Sequence, residues 1–384
     1  MTERLYYSDT YLKEFDAIVT SCTPAKNGYY IILDATAFYP EGGGQPCDIG
    51  TLNGNIHISD VQEKDNEVVH LADKEIPVGT KVHGVIDWNR RFDLMQQHSG
   101  EHIVSGFIHA KYGYNNVGFH MGSDVITVDL DGELNIEQLA EIEIKVNDFI
   151  WQNVASEELH PSTEELKELD YRSKKELTGD VRIIRFPGGD TCACCGLHVR
   201  QTGEIGLVKL LSCQKFHNGV RIEMLCGKRA MEYLNTVNKE NNTISTLLSA
   251  KVRETSKAVE RLLNENQNLK SKIVEVENQI LNDIASQYIN RDFVLINKNG
   301  LTPDNIRKLT ALLIEQNDCI CTVFSGNDEE GYKYAIGQKN GNLKELTKQL
   351  NTELNGRGGG KPFFVQGSVN CRYDDIKSFF GNFI

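Results

Sequence analysis

The chain has 384 residues and a formal net charge of −13 at pH 7, and a chain of this length usually forms two or three domains. Its acidic balance argues against broad, sequence-independent binding to nucleic acid, although a local basic groove remains compatible with it. The first residues are polar and no run of about 18 apolar residues occurs, so we expect a cytoplasmic protein with no signal peptide and no membrane contact.

Short segments rich in β-branched residues fill residues 1–87, where Gly, Asn and Pro separate them. This spacing predicts a small β-barrel, with an open meander sheet as the alternative. From Trp88 to about Tyr112 the pattern is helical, with Asp87 as a plausible N-cap. Residues 88–229 then mix helix and strand patterns. The chain is therefore predicted to be an α+β protein, with a barrel domain followed by an α+β domain.

Residues 230–290 read as one long helical segment that contains no proline. Its apolar residues repeat with heptad spacing, and Asn266 falls in the same series, which includes Val252, Val259, Ile273 and Ile280. A run of this length predicts a coiled coil, in which one buried Asn can fix register and partner number. We favour a contact between two subunits, and hence a homodimer, or with a neighbouring domain; an intramolecular hairpin with a solvated Asn266 is the alternative. Residues 291–384 read as a separate α/β domain.

Two histidines, His98 and His102, lie four residues apart on the first predicted helix. This spacing places both side chains on one helix face, where they can reach the same ion. A second cluster lies about ninety residues downstream and holds four further candidate ligands, Cys192, Cys194, Cys195 and His198. A Cys and a His separated by a tight turn containing glycine are a common zinc half-site. The two clusters together predict a metal centre, with buried free thiols as the alternative.

Glu101 lies between the two histidines, and the segment HSGEH fits the His-x-x-Glu-His pattern of zinc peptidases. In those enzymes the glutamate is the general base that activates a zinc-bound water. A peptidase of this type takes its third ligand from a downstream carboxylate, whereas this chain supplies a Cys/His pair. We therefore favour a supporting or bystander role for Glu101 over general-base catalysis.

The segment TAFYPEGGGQPCDIG combines three glycines with a glutamine. Gly42–Gly44 can bring bare backbone close to a ligand, and the amide of Gln45 can both donate and accept a hydrogen bond. Thr36, Glu41 and Asp48 flank the loop. The alternative is a glycine-rich hairpin without a function.

These motifs together resemble those of the alanyl-tRNA editing family, the free-standing relatives of the editing domain of alanyl-tRNA synthetase. The glycine–glutamine loop, DWNRRFDLMQQHSGEHIVSG and CCGLHVRQTGEIG resemble the family's active loop and its two zinc half-sites. GRGGGKPFFVQG resembles the glycine-rich loop of the C-terminal domain of alanyl-tRNA synthetase, and a long helix before it is typical of the family's long form. The resemblance covers nearly the whole chain.

The resemblance implies one zinc ion per chain, held by His98, His102, Cys194 and His198. Family members commonly read Cys-Gly-Gly-Thr-His where this chain has Cys194-Cys195-Gly196-Leu197-His198, which leaves open which cysteine binds the metal. Thr36 and Gln45 occupy the positions that the family associates with the mischarged amino acid and with catalysis. The implied activity is hydrolysis of serine, and possibly glycine, from the acceptor end of alanine tRNA.

The C-terminal glycine-rich segment carries a cation at each end. Arg357 and Lys361 flank Gly358, Gly359 and Gly360, so that two charges and bare backbone amides could meet tRNA phosphates; an ordinary tight turn is the alternative.

Two further classes of function remain open from the sequence: a zinc peptidase and a non-catalytic tRNA-binding protein with structural zinc.

Overall fold

The computed structural model describes residues 1–173 and 181–381. The chain divides into two compact units, Met1–Thr243 and Ile244–Ile384. This division is coarser than the four domain ranges expected from the sequence, which stay a prediction. No helix in the two described ranges is both long and apolar enough to cross a membrane.

The first part of unit 1 is a closed barrel. Its elements are β1 (Glu3–Arg4), α1 (Leu5–Ser8), β2 (Glu14–Ala25), β3 (Gly28–Leu33), β4 (Ala35–Thr36), β5 (Gly50–Leu52), β6 (Ile56–Lys64), β7 (Glu67–Ala72) and β8 (Lys81–Ile86). Six strands close in the order β2-β3-β7-β6-β5-β8, with every pairing antiparallel. Alternate residues of β7 point inward, among them Val68, His70 and Ala72, as the period of two along a strand requires. The predicted barrel is confirmed.

A 25-residue helix, α2 (Trp88–Tyr112), follows the barrel directly. The Asp87 carboxylate caps it by accepting a hydrogen bond from the Arg90 N–H at 3.1 Å. Gly113 ends it in the left-handed conformation, with φ 73° and its N–H donating to His109 O, because glycine adopts that conformation at little cost. The helix and its cap agree with the sequence prediction.

The rest of unit 1 wraps α2 in two antiparallel sheets and further helices. Its elements are β9 (Asn116–Met121), β10 (Ile126–Leu130), α3 (Ile136–Trp151), β11 (Glu157–Leu159), α4 (Thr163–Glu168), β12 (Ile183–Phe186), β13 (Asp190–Ala193), β14 (Val208–Phe216), β15 (Gly219–Cys226) and α5 (Gly227–Leu247). The sheets have the orders β14-β15-β10-β9 and β11-β12-β13. Strand β13 leads into the turn of residues 194–198, here called the cysteine-rich turn, and packs beside α2, which brings the two predicted ligand clusters together.

The long helical segment expected over residues 230–290 is interrupted, so that prediction was wrong in its continuity. Helix α5 ends at Leu247, and α6 (Thr255–Ser286) begins after a 3₁₀ turn at Val252–Glu254. Ser249 adopts a left-handed conformation with φ 49°, and the Ala250 N–H donates to Ser245 O, which is the hydrogen bond of a Schellman helix end. Val252 therefore lies outside α6.

Unit 2 carries a five-stranded sheet with helices. After α6 come β16 (Val294–Asn297), α7 (Pro303–Gln316), β17 (Cys321–Asn327), β18 (Gly331–Gly337), α8 (Lys344–Glu353), β19 (Gly356–Lys361), β20 (Phe364–Val369) and α9 (Tyr373–Phe380). The strand order is β16-β17-β18-β20-β19, and only the β16–β17 pairing is parallel.

The glycine-rich segment of unit 2 is a strand and not the expected loop. It forms β19, the edge strand that pairs with β20. A Cβ added to Gly358 would lie 2.0 Å from Tyr334 Oη, and one added to Gly360 would lie 2.4 Å from Phe364 O. These glycines are therefore needed for close approach within a sheet, a use that the sequence pattern does not distinguish from a turn.

Candidate metal centre

Four predicted ligands converge in unit 1. His98 and His102 project from α2, and Cys194 and His198 come from the turn after β13, with ligand atoms that all lie within 4.8 Å of one another. Cys194 Sγ is 3.4 Å from His98 Nε2 and 3.5 Å from His198 Nε2. A tetrahedral zinc ion would space a nitrogen and a sulfur ligand by about 3.5 Å. The donor set and its spacing therefore fit zinc.

The second ring nitrogen of each histidine in the cluster faces a polar side chain. The three contacts are His98 Nδ1 to Gln45 Oε1 at 2.9 Å, His102 Nδ1 to Asp190 Oδ2 at 3.1 Å, and His198 Nδ1 to Ser99 Oγ at 3.1 Å. Partners of this kind fix the tautomer and the ring orientation of metal-binding histidines. They turn each Nε2 towards the centre of the cluster.

Charge within the cluster also suits a cation. Burial opposes ionisation of Cys194, but its electrostatic interaction with the neighbouring imidazoles of His98 and His102 outweighs burial and lowers the pKa of the thiol well below its usual value. Burial, together with the charge of His102, lowers the pKa of His198 well below its usual value. Thiolate and neutral imidazole are the forms that bind zinc. Burial disfavours the charged form of His102, yet Cys194 and Asp190 raise its pKa well above the usual value, so a bound metal would displace a proton there.

Two glycine turns allow the close packing around His98. A Cβ added to Gly196 would lie 2.0 Å from His98 Cε1, so the cysteine-rich turn can pass against the imidazole only without a side chain. Gly43 and Gly44 have φ of 59° and 83° and form a two-residue turn between Gly42 and Gln45, which is the geometry that favours glycine. This turn places Gln45 Oε1 against both His98 and the Leu197 N–H, which donates to it at 3.0 Å.

A cleft of ≈ 610 Å³ opens beside the cluster, within the usual range for small-molecule sites. Its described wall includes Gly43, Gly44, His98, His102, Phe119 and Cys194. The Phe119 ring stacks on His98 with 5.3 Å between the ring centroids. Three of the four cluster residues, His98, His102 and Cys194, therefore line a cleft large enough for part of a substrate.

Comparison with known proteins assigns the family. Residues 5–90 match the family described as class II (A) tRNA synthetases, and residues 181–223 match the second additional domain of threonyl and alanyl tRNA synthetases. The alanyl-tRNA editing protein AlaX-L of Pyrococcus horikoshii is 30% identical, over 98% of this chain and 96% of its own length. This chain belongs to the alanyl-tRNA editing protein family.

Other relatives extend the comparison. The alanyl-tRNA editing protein Aarsd1 of Danio rerio is 26% identical over 94% of this chain and 92% of its own. The alanine–tRNA ligase of Methanobrevibacter smithii is 29% identical over 96% of this chain, which spans 44% of that enzyme. Among solved structures, the C-Ala domain of Aquifex aeolicus alanyl-tRNA synthetase matches 24% of this chain and 88% of its own with 18% identity and a TM-score of 0.21.

Glu101 lies in the wall of the cleft, but its side chain joins two elements of the fold. It is 2% exposed, and its Oε1 accepts hydrogen bonds from Ser105 Oγ and Asn116 Nδ2, each at 2.5 Å. The bond from Ser105 lies within α2, and the bond from Asn116 connects α2 to the first residue of β9. The role of Glu101 in the site stays a prediction.

Thr36 is buried inside the barrel. The Ile31 carbonyl accepts from His70 Nδ1 at 3.1 Å, so His70 Nε2 is the acceptor for the Thr36 hydroxyl at 2.9 Å. The same hydroxyl accepts the Phe38 N–H at 3.1 Å. Burial lowers the pKa of His70 to about 4, so the ring is neutral. Thr36 is not among the described residues that line the cleft, and its role in substrate selection stays a prediction.

Several polar residues around the cluster were missed by the sequence reasoning. Asp190 not only faces His102 but also accepts two hydrogen bonds from Arg172, at 2.7 and 2.8 Å. Ser99 lies next to a predicted ligand, and Arg182 binds the cysteine-rich turn. Each is a single polar residue without a characteristic spacing, so only the fold reveals its contacts.

The predicted nucleic-acid-binding residues lie in unit 2. Arg357, Gly359, Gly360 and Lys361 are exposed along β19, and Gly358 is half-buried against Tyr334.

Proposed function

We propose that this chain hydrolyses the ester bond that joins serine, and also glycine, to the 3′ end of alanine tRNA in the cytoplasm. Water adds to the ester carbonyl, and free amino acid and the tRNA hydroxyl leave. The observation that carries the proposal is the His/Cys cluster beside an open cleft, in a family whose Pyrococcus horikoshii member is named an alanyl-tRNA editing protein. A second, hydrolytic site is needed because a pocket for alanine discriminates only modestly against molecules of similar size.

The ligand set proposed for one zinc ion is His98, His102, Cys194 and His198. When bound, zinc supplies a fixed positive charge that can orient and polarise a substrate oxygen. Four protein ligands are typical of closed zinc sites, so we assign the handling of water to groups of the chain itself.

Gln45 is the first of these groups. Its Oε1 accepts hydrogen bonds from His98 and from the Leu197 N–H. Its buried Nε2 has no hydrogen-bond partner among the described residues, and a donor in that state is costly unless a ligand or water accepts from it. We therefore propose that Gln45 orients His98 through its oxygen and positions the attacking water or the ester carbonyl through its nitrogen.

Thr36 is proposed to select serine. Its hydroxyl donates to His70 and accepts from Phe38, which leaves one lone pair that could accept a hydrogen bond from the serine hydroxyl. Alanine cannot make that bond. Because Thr36 is buried, serine would reach it only when the segment that leads to Gln45 moves away from the barrel.

Strand β19 is proposed to bind the tRNA backbone. Arg357 and Lys361 are exposed at its two ends, and as an edge strand it presents unpaired backbone amides. Cations and backbone N–H groups are the usual ligands of phosphate oxygens. Because the chain is acidic overall, we expect this contact to be local, with a shallow dependence of affinity on salt.

Helix α6 is proposed to pair with its copy in a second chain. Six apolar residues at heptad positions are between 39% and 59% exposed: Val259, Leu262, Leu269, Ile273, Val276 and Ile280. In a parallel, in-register pair Asn266 would meet its own copy. Glu265 would face Lys270 of the second copy, and Lys272 would face its Glu277, which gives attractive contacts beside the seam.

The decisive experiment measures deacylation of alanine tRNA charged with serine, glycine or alanine, together with zinc content, for the wild type, His98→Ala and Gln45→Ala. Rapid release of serine that both substitutions abolish supports editing. Peptide cleavage that depends on Glu101 would instead establish a peptidase. Stoichiometric zinc without either activity would establish a non-catalytic tRNA-binding protein.

A further inference from the structure

Three successive carbonyls of the cysteine-rich turn accept hydrogen bonds from distant side chains. Arg182 Nη1 donates to Cys194 O at 3.0 Å and to Gly196 O at 2.7 Å. The Cys195 carbonyl lies between them and accepts from Tyr7 Oη at 3.2 Å and Tyr39 Oη at 3.3 Å. Carbonyls crowded into one turn repel each other and are costly to bury without donors. These contacts therefore hold the turn in its bent form.

Arg182 is itself fixed on its other sides. Its Nη2 donates to Glu158 Oε2 at 2.6 Å, and its guanidinium lies over the Tyr7 ring, 5.1 Å from the centroid. The side chain is 8% exposed. The planar guanidinium, with five donors in a fixed geometry, suits such simultaneous contacts, and the single ammonium of lysine does not.

The position of Cys194 Sγ depends on this turn. The Cys194 N–H donates to the Arg182 carbonyl at 3.1 Å. Arg182 therefore binds both the N–H and the carbonyl of Cys194. Gly196 then passes against the His98 ring without room for a side chain. A shift of the turn would move the sulfur away from the three histidines or press the backbone into His98.

We propose that Arg182 is a positioning residue for the metal centre: by binding the carbonyls of Cys194 and Gly196 it fixes the thiolate towards the three histidines and thereby sets the affinity for the metal. Arg182 reaches the ion only through the turn. The inference rests on the proposed function only in requiring that the cluster binds a metal.

The test compares metal binding in Arg182→Gln and Arg182→Lys with that in Arg185→Gln. Arg185 is a matched control because it lies three residues after Arg182 and pairs across β11 and β12 with Glu157, the neighbour of Glu158, while the bonds described for its side chain all go to that carboxylate. The metal-free full-length chain is titrated with zinc in competition with a chromophoric chelator. Cobalt(II) is then bound in place of zinc, and its thiolate charge-transfer and ligand-field absorption bands are recorded.

We expect Arg182→Gln to weaken zinc binding by about 10- to 100-fold, the usual effect of removing a group that supports metal ligands, and to weaken or shift the cobalt bands. Arg182→Lys should recover part of the affinity, and Arg185→Gln should match the wild type in both measurements. Wild-type zinc affinity and cobalt spectrum in Arg182→Gln would refute the proposal. If that variant fails to fold, a wild-type spectrum and affinity in Arg182→Lys would refute it instead.

Assaying seryl-tRNA deacylation on the same wild-type protein separates this inference from the proposed function. A wild-type chain that binds zinc but does not deacylate seryl-tRNA contradicts the editing proposal and still allows the affinities to decide the role of Arg182. A wild-type chain that binds neither zinc nor cobalt refutes the positioning role together with the metal centre.

Discussion

The two long helices α2 and α6 differ in how much they bury and in which residues they leave exposed. Helix α2 buries fifteen of its 25 residues, and these include His98, Ser99, Glu101 and His102. Helix α6 buries three of its 32 residues and leaves most of its apolar heptad positions exposed. Buried polar residues and contiguous exposed apolar residues are the two departures from ordinary packing that carry functional information. The first marks the candidate metal centre, and the second marks a surface that we propose to pair.

The largest effect is expected where α2 contributes a proposed metal ligand. Replacing His102 by alanine removes one of the four proposed ligands and leaves Asp190 without the imidazole that it faces. We expect loss of stoichiometric zinc and a fall in seryl-tRNA deacylation of more than about 100-fold, beyond the effect of a supporting residue. Metal analysis and single-turnover deacylation measure both quantities.

His109 provides the matched control for this substitution. It lies on the same helix, but its Nδ1 bonds to the Tyr114 carbonyl and it is outside the cluster. His109→Ala should keep both zinc and activity. Retention of full zinc and activity in His102→Ala would show that burial of polar residues in α2 does not mark a metal centre.

The next largest effect is expected on α6. Leu269 is 59% exposed. Replacing it by glutamate would place two like charges in the proposed seam and remove about 2 kcal/mol of favourable free energy of apolar burial in the dimer from each copy. We expect dimer affinity to fall by more than about 100-fold, measured by sedimentation equilibrium, with the melting temperature of the isolated chain nearly unchanged. Asn264→Glu adds the same charge on the opposite face and should remain dimeric. A wild-type chain that is monomeric at all concentrations would contradict the pairing.

The sequence predicts these two helices unequally well, for local reasons. The ends of α2 follow from Asp87 and Gly113, which act on adjacent backbone and are therefore visible in the sequence. The end of α5 depends on Ser249 in a left-handed conformation, which a sequence without glycine or proline does not indicate. The convergence of the His/Cys cluster could be predicted because His98 and His102 share one helix face and Cys194 and His198 share one short turn; that the cluster binds a metal stays a prediction.

Residues that act across the fold could not be predicted in the same way. Arg182 meets Tyr7 only after β11 and β12 have paired and the barrel has formed. Thr36 and Gln45 are nine positions apart in one motif, yet one is bonded inside the barrel and the other to His98 of the His/Cys cluster. A motif defines which residues occur together, whereas non-local strand pairing decides where each side chain points.

A buried polar residue does not always mark the candidate metal centre. His70 is buried inside the barrel, away from the His/Cys cluster. Burial lowers its pKa from 6.5 to about 4, so the folded state favours the neutral ring. The resulting stability is fully present above about pH 6.5 and is lost as the pH falls towards 4. We expect the difference in unfolding free energy between wild type and His70→Gln to shrink by about 2 kcal/mol from pH 7 to pH 5, measured by urea unfolding. Release of any bound metal at low pH would affect wild type and His70→Gln alike and cancel in the comparison. A difference in unfolding free energy that does not change with pH would therefore exclude a neutral buried His70.

The smallest effect is expected for Thr36→Val. This substitution best separates a structural role of Thr36 from a role in selecting serine over alanine. Valine keeps the shape of threonine but leaves His70 Nε2 and the Phe38 N–H without their partner, at a cost of about 1–3 kcal/mol in stability. Thr20→Val is the control, since the Thr20 hydroxyl bonds to Ile32 O on the exposed side of the same barrel. If Thr36 selects serine, the ratio of seryl- to alanyl-tRNA deacylation falls in Thr36→Val and not in Thr20→Val. An unchanged ratio with reduced stability would make Thr36 a structural residue of the barrel, and the selection of serine would then belong to the groups that line the cleft.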